Sequence, residues 1–130
     1  MPEIGDKVVI EKIISEKDIE KFAELSGDYN PIHMDESFAS KTFFRGRIAH
    51  GLIAASLISA GLTKLFGNGN IWLSQMLEFK APVRIGETIT STLEISGKEA
   101  KNVYRVKTIC TNMAGNIVLD GEARTKPMGA

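Results

Sequence analysis

The first half of the chain contains short apolar runs whose spacing predicts a strand and then a helix. Residues 7–14 are rich in Val and Ile, which favours a strand. Ser15 suits a helix N-cap, and Gly27 suits the residue that ends a helix. Between them, apolar residues recur at three- and four-residue spacing opposite a charged face. We therefore expect an amphipathic helix between Ser15 and Gly27.

Two later segments of the first half have other patterns. Residues 28–31 are turn formers, and Asp35 can begin a short helical turn. Residues 50–66 are apolar nearly all round, and the glycines and asparagines of 67–70 predict a turn that stops them. Because such a helix must be surrounded by protein, we expect it at the centre of the fold.

The second half contains four strand-like runs separated by Gly and Asn, at residues 71–82, 87–96, 102–112 and 116–125. Consecutive short strands joined by tight turns imply antiparallel pairing, and the helix at 50–66 is the apolar element large enough to cover the sheet. The predicted fold is α+β, an antiparallel sheet curled around one central helix.

Alternation within the strands predicts which side chains face the core. In the last run, the odd-numbered positions from Ile117 to Ala123 share one face, and the opposite face, which includes Val118, is expected to be solvated. Cys110 shares its strand face with apolar neighbours, which favours a small buried side chain over a nucleophile.

Length, charge and cysteine content exclude several classes of protein. The 130 residues suit a single domain spanning 1–130. Sixteen basic side chains balance sixteen acidic ones, so no nucleic-acid partner is expected. The run 48–62 is too short and too polar to span a membrane, and residues 1–11 lack the features of a secretory signal. The single Cys110 cannot form an internal disulfide, which favours the cytoplasm.

The loop after the first helix carries the candidate chemistry. Asp28 and His33 lie five residues apart across a turn that contains Pro31, so both side chains can point at one water molecule. Either could also be structural, the carboxylate bonding turn amides and the imidazole bonding a backbone carbonyl. Spacing alone is therefore weak support for catalysis.

Three blocks resemble a known family. Residues 25–33, LSGDYNPIH, closely resemble the hydratase motif of MaoC-like dehydratases and R-specific enoyl-CoA hydratases. Residues 46–53, GRIAHGLI, resemble that family's entry into its central helix, and residues 77–87 resemble a strand-turn-strand segment of the hot-dog superfamily. The resemblance implies a hot-dog fold and a homodimer, or a higher homo-oligomer, with active sites near the subunit interface.

The resemblance also implies a chemistry, the interconversion of trans-2-enoyl-CoA and (R)-3-hydroxyacyl-CoA without a metal or redox cofactor, on short to medium acyl chains. Asp28 and His33 are then the catalytic dyad that holds the water, with acid and base unassigned. Gly51 begins the central helix, whose first amides lack internal partners, so it can polarise the thioester oxygen. Ser59 matches a position near the catalytic pair in short-chain members, which implies substrate binding.

Other interpretations remain open. The chain could be an acyl-CoA thioesterase of the same fold, or a non-catalytic module that binds acyl thioesters. We interpret His50 as a capping or packing residue and Asn30 as a turn former. A metal cluster is not expected, because Asp35 and Glu36 beside the dyad match no defined ligand motif.

Further side chains could contact the substrate. Residues expected to bound the acyl pocket are Leu52, Trp72 and Met76. Residues that could meet the phosphates of coenzyme A, with no single one favoured, are Arg45, Arg47, Lys80 and Arg84.

Overall fold

The computed structural model describes residues 2–128, so both outer limits of the predicted domain, 1 and 130, lie outside the described residues. The elements in chain order are β1 (Lys7–Ile13), α1 (Glu16–Ser26), α2 (Pro31–Met34), α3 (Glu36–Ala39), α4 (Gly51–Phe66), β2 (Ile71–Phe79), β3 (Thr88–Glu99), β4 (Val103–Thr111) and β5 (Ile117–Lys126). No helix within residues 2–128 is both long enough and apolar enough to cross a membrane.

All five strands form one antiparallel sheet with the order β1-β3-β4-β5-β2. Antiparallel pairing was predicted, but β2 pairs with β5 rather than with β3, the next strand in the chain. Residues 80–87 instead cross beneath the start of α4, where the Ala49 amide donates to the Val83 carbonyl over 2.7 Å. The strand β2 is consequently left at one edge of the sheet.

Helix α4 packs against the sheet and supplies much of the core. Its buried residues are Ile53, Ala54, Ala55, Leu57, Ile58, Gly61 and Leu62. Buried strand residues such as Leu93 and Val106 belong to the same cluster. This is the predicted α+β architecture, with a sheet wrapped around one central helix as in the hot-dog fold.

The expectation that α4 is surrounded on all sides is wrong for the single chain. Leu52 is 52% exposed, and Ser56, Ser59 and Ala60 are exposed as well. A sheet of five strands covers only the side of the helix that faces it. The uncovered side carries the large apolar residue Leu52 among small residues.

The ends of α1 form as their sequence predicts. Ser15 and Asp18 make a capping box, and Gly27 adopts the left-handed conformation with φ of 79°. Helix α2 was not predicted, because residues 28–31 look like a turn alone. Asn30 caps this helix by accepting from the Ile32 amide over 3.1 Å, so its predicted structural role is confirmed.

The predicted alternation of β5 is wrong at its first residues. Val118 and Leu119 are both buried, at 2% and 1% exposure, whereas Ile117 is 42% exposed. The β4–β5 pairing shifts its register between Cys110 and Thr111, which breaks strict alternation at this end. Val118 thereby faces the interior. Cys110 is fully buried, as predicted.

Candidate active site

Helix α2 fixes the position of His33. Pro31 occupies its first position, where a missing amide hydrogen costs nothing, and the Asn30 side chain caps it. Although α2 has only four residues, its backbone is tied to the segment that leads into α4, because the Ile48 amide donates to the Ile32 carbonyl over 3.2 Å. His33 therefore has a defined place despite lying in an irregular region.

Two hydrogen bonds orient His33 itself. Its Nδ1 lies 2.8 Å from the carbonyl oxygen of Ile48. A carbonyl can only accept, so Nδ1 carries a hydrogen and Nε2 is the nitrogen left to exchange protons. The Arg47 Nε donates to the His33 carbonyl over 2.6 Å. The ring and the backbone of His33 are thus held by two consecutive residues.

Asp28 follows the end of α1 in an exposed loop. Its Oδ1 accepts from the Asn30 amide over 3.1 Å, and its own amide donates to the Ser26 Oγ over 3.0 Å. The Asp28 carboxylate therefore does bond a turn amide, which is the structural role considered above. It leaves Oδ2 without a protein partner among the described residues, and Asp28 also lines the cavity described below. The structural role and a catalytic one are compatible.

His50 lies against both members of the predicted dyad. Its ring stacks on that of His33, with centroids 4.0 Å apart and planes at 31°. Its Nε2 donates to the Asp28 carbonyl over 3.0 Å. The side chain makes no capping hydrogen bond, so capping was the wrong interpretation, whereas packing against Phe22 is confirmed. No periodicity or spacing places His50 beside residues about 20 positions earlier.

Burial sets the charge of His50. The residue is 3% exposed, and its Nδ1 is buried without a hydrogen-bond partner. Burial lowers the pKa of His50 from its ordinary value of 6.5, the Asp28 carbonyl opposes this, and the proximity of His33 lowers it further. The imidazole is accordingly neutral at pH 7.

These groups face one cavity of about 620 Å³ at the start of α4. Asp28, His33 and Gly51 all line it. Its other lining residues are mainly apolar and include Phe22, Phe44, Leu52, Phe79, Val83 and Val118. A mostly apolar pocket with a few convergent polar groups is the usual form of a small-molecule site.

Three predicted pocket residues fall outside this cavity. Ser59 is exposed on α4 two turns beyond Gly51, about 12 Å along the axis, and does not line the cavity. Trp72 and Met76 are exposed on the edge strand β2 and do not line it either, whereas Phe79 at the end of that strand does. Leu52 does line it, as expected. The aromatic walls Phe22, Phe44 and Phe79 were missed because separate elements bring them together.

The four candidate phosphate contacts divide into two kinds. Arg47 binds both carboxylate oxygens of Glu16, at 2.6 and 2.7 Å. Arg84 donates to the carbonyls of residues 44 and 46, so both guanidinium groups are already engaged. Arg45 is exposed, and Lys80, which pairs with the exposed Glu78, lines the cavity. Arg45 and Lys80 remain the better candidates for contact with a phosphate.

The structure brings together a different set of possible metal ligands from the one considered above. One ligand atom each from Asp28, His33 and His50 lies within 4.8 Å of the others. Asp35 instead caps α3, and Glu36 accepts from the Arg47 amide. The His33 Nδ1 and the His50 Nε2 are already hydrogen-bonded to backbone carbonyls, those of Ile48 and Asp28.

Comparisons with known proteins identify the family to which the chain belongs. The chain is 48% identical to the (R)-specific enoyl-CoA hydratase of Rhodospirillum rubrum, covering 92% of this chain and 83% of that protein. It is 46% identical to the 3-hydroxybutyryl-CoA dehydratase of Methylorubrum extorquens, covering 95% and 80%. The (R)-hydratase structure from A. caviae superposes with a TM-score of 0.92 at 35% identity, covering 96% of each chain. The model of the MaoC like domain matches residues 2–116, and the chain belongs to that family.

Proposed function

We propose that this protein hydrates trans-2-enoyl-CoA to (R)-3-hydroxyacyl-CoA and catalyses the reverse dehydration. The observation that carries the proposal is that Asp28, His33 and the N-terminus of α4 at Gly51 line the same apolar cavity. Hydration needs a base for water, an acid for C2 and a donor for the thioester oxygen, and these groups supply those functions.

In the proposed reaction, Asp28 and His33 hold one water between them. The water oxygen bonds to C3, one water proton passes to the member of the dyad that acts as base, and C2 receives a proton from the other. At His33 the proton moves on or off Nε2, because the Ile48 carbonyl occupies the Nδ1 hydrogen. The same groups serve the reverse reaction with their roles exchanged.

The Gly51 amide is the proposed partner of the thioester oxygen. It is the first residue of the 16-residue α4, so its N–H has no acceptor within the helix and lies at the positive end of the helix dipole. As negative charge develops on the oxygen, this amide stabilises it without rearrangement. A role for Ser59 in substrate binding stays a prediction, since the residue is exposed outside the cavity.

The reaction as proposed requires neither a metal nor a redox cofactor, because water addition changes no net oxidation state and the dyad supplies both proton transfers. Dialysis against a strong chelator is expected to leave the rate unchanged. Loss of activity that added Zn²⁺ or Mn²⁺ restores would contradict this part of the proposal.

We also propose a homodimer that joins the β2 edges of two copies. Strand β2 lies at the edge of the sheet and exposes Ile71, Trp72, Leu73, Met76 and Phe79. An exposed apolar edge favours pairing with another strand, and the same edge on two copies gives a two-fold interface. Met76→Lys is expected to yield monomers in light scattering. Ile13→Lys, on the opposite edge strand β1, is the matched control and should not yield monomers.

The single buried Cys110 supports a reducing, cytoplasmic location.

Incubation with crotonyl-CoA tests the proposed function. The expected product has the mass of the substrate plus one water, and a dehydrogenase specific for (R)-3-hydroxyacyl-CoA should oxidise it. Release of free coenzyme A thiol without hydration would indicate the thioesterase instead. Binding without turnover would indicate a non-catalytic module. A series of enoyl chains of increasing length, on coenzyme A and on acyl carrier protein, then measures the preferred substrate, which we propose to be short to medium.

A further inference from the structure

In the described part of the chain, the turn that carries Asp28 makes one long-range hydrogen bond to the rest of the protein. Within residues 2–128, the hydrogen bonds of residues 28–30 are local, to residues no more than three positions away, except for the bond from His50 Nε2 to the Asp28 carbonyl. That bond spans 22 positions in sequence. Since α1 and α2 flank the turn on either side, this bond is what ties residues 28–30 themselves to the residue that precedes α4.

The same imidazole ring also supports His33. The two rings stack at 4.0 Å, and Phe22 packs against His50 at 4.7 Å between ring centroids. His33 is held along its edge by the Ile48 carbonyl, and His50 covers one of its faces. The imidazole of His33 therefore has little freedom to rotate.

His50 is also covalently joined to the third element of the site. It precedes Gly51, the first residue of α4. One residue thus contacts the Asp28 backbone and the His33 ring and is bonded to the residue whose amide faces the thioester. Catalytic groups must keep their relative positions closely, and a displacement of about 1 Å can cost about 100-fold in rate.

We propose that His50 is a positioning residue, which fixes Asp28 and His33 relative to Gly51 through its Nε2–H and its ring face. It neither donates a proton to the substrate nor accepts one from it. The inference rests on the proposed hydratase function. The burial of His50 fits this role, because its Nδ1 is inaccessible to water and its Nε2 is hydrogen-bonded to the Asp28 carbonyl. A neutral ring also places no second positive charge against His33 when that residue is protonated.

Two substitutions separate this role from direct catalysis. His50→Phe keeps an aromatic ring against His33 but removes the donor to Asp28. His50→Gln replaces the ring with an amide that can still donate near the position of Nε2 and cannot ionise near neutral pH. We expect His50→Phe to lower kcat with crotonyl-CoA by at least about tenfold and KM by less than about threefold in either direction. His50→Gln is expected to recover much of that loss.

Several outcomes would overturn the inference. Wild-type kcat in His50→Phe would show that the hydrogen bond has no effect on turnover. Activity as low as that of His33→Gln in both His50→Phe and His50→Gln would mean that the His50 imidazole itself transfers a proton. A KM increase that fully accounts for the lost kcat/KM in His50→Phe would indicate substrate binding rather than positioning of the dyad.

Nitrogen NMR on protein labelled at histidine tests the geometry without any assay. The chain has two histidines, and His33→Gln assigns their signals. Neutral His50 is expected to carry its hydrogen on Nε2, and neutral His33 on Nδ1. A hydrogen on Nδ1 of His50 would contradict the bond to Asp28 even if His50→Phe failed to fold. An inactive wild type that shows the expected tautomers would contradict the proposed function while confirming this arrangement.

Discussion

The aromatic ring of Phe79 lies directly against the Cα of Gly51. A Cβ atom added to Gly51 would stand 2.5 Å from Cε1 of that ring, closer than such atoms approach in proteins. Glycine is therefore favoured at position 51 by its contact with Phe79 as well as by the proposed role of its amide. Phe79 is 54% exposed at the end of the edge strand β2, so its ring has room to move.

A double substitution separates these two reasons. We expect Gly51→Ala to lower kcat/KM for crotonyl-CoA by about 100-fold, because the methyl group hinders approach of the thioester oxygen to the amide. Adding Phe79→Leu removes the clash and should restore thermal stability but not activity. Full recovery of activity in the double variant would mean that the glycine serves packing alone.

Gly61→Ala is the matched control for this experiment. Gly61 lies in the same helix, outside the cavity lining, and an added Cβ would be 2.9 Å from Cδ1 of Leu93. It creates a clash away from the chemistry, against a fully buried side chain. We expect a lower midpoint of thermal unfolding with an unchanged kcat.

Neutral substitution of either member of the dyad should remove most activity. Asp28→Asn and His33→Gln are each expected to lower kcat by about 10² to 10⁴, the usual contribution of a general acid or base. Circular dichroism should remain that of the wild type. Asp35→Asn is the control, since asparagine caps a helix as well as aspartate and Asp35 caps α3. An Asp28→Asn enzyme as fast as this control would exclude Asp28 from catalysis.

Arg47 should affect turnover through the backbone of His33. The Arg47→Lys variant lacks the forked guanidinium group, which in the wild type donates to both Glu16 carboxylate oxygens and to the His33 carbonyl at once. We expect the free energy of unfolding to fall by about 1.5–3 kcal/mol, the range for hydrogen bonds to charged groups, and kcat to fall as well. Urea denaturation and steady-state assays measure the two effects.

Glu16→Gln distinguishes the ion pair from the contact with His33. Its carboxylate is half exposed, and the hydrogen bond from Arg47 lowers the pKa of Glu16. An exposed pair contributes about 0.2–1 kcal/mol, so we expect a small loss of stability and an unchanged kcat. Equal losses of kcat in Glu16→Gln and Arg47→Lys would show that the ion pair, not the His33 carbonyl, matters.

Stability should depend on pH through His50. Its pKa in the folded protein lies below the value of 6.5 for an exposed histidine, so on acidification the unfolded chain binds a proton first. The stabilisation is therefore complete above about pH 6.5 and is lost as the pH falls through the folded value. The slope can reach at most about 1.4 kcal/mol per pH unit for one group.

The measurement compares urea denaturation of the wild type and His50→Gln at about pH 7.5 and about pH 5.5, the range in which histidines titrate. The wild type should lose more stability than the variant over this interval. Glu16 and Asp18 also have lowered pKa values, but their ordinary values of 4.5 and 3.8 place their effects at lower pH. Equal losses in both proteins would contradict a neutral, buried His50.

Local signals in the sequence were sufficient for most of the fold. Ser15 and Gly27 delimit α1 because capping depends on the residue itself and its near neighbours. The apolar run from residue 50 identified the central helix, and runs of alternating residues identified the strands. These features depend on residues within a few positions of one another, so the sequence alone carries them. The motif around Asp28 and His33 likewise indicated the family.

The tertiary structure alone decided which residues surround that motif. The stack of His50 on His33, the contact of Phe79 with Gly51 and the clamp of Arg47 on the His33 carbonyl each join different elements. Such contacts depend on how elements pack and on register shifts like the one that turned Val118 inward. The sequence by itself determined which chemical groups are available and which local segments carry them. Packing decided which of them meet, because separation along the chain does not fix distance in space.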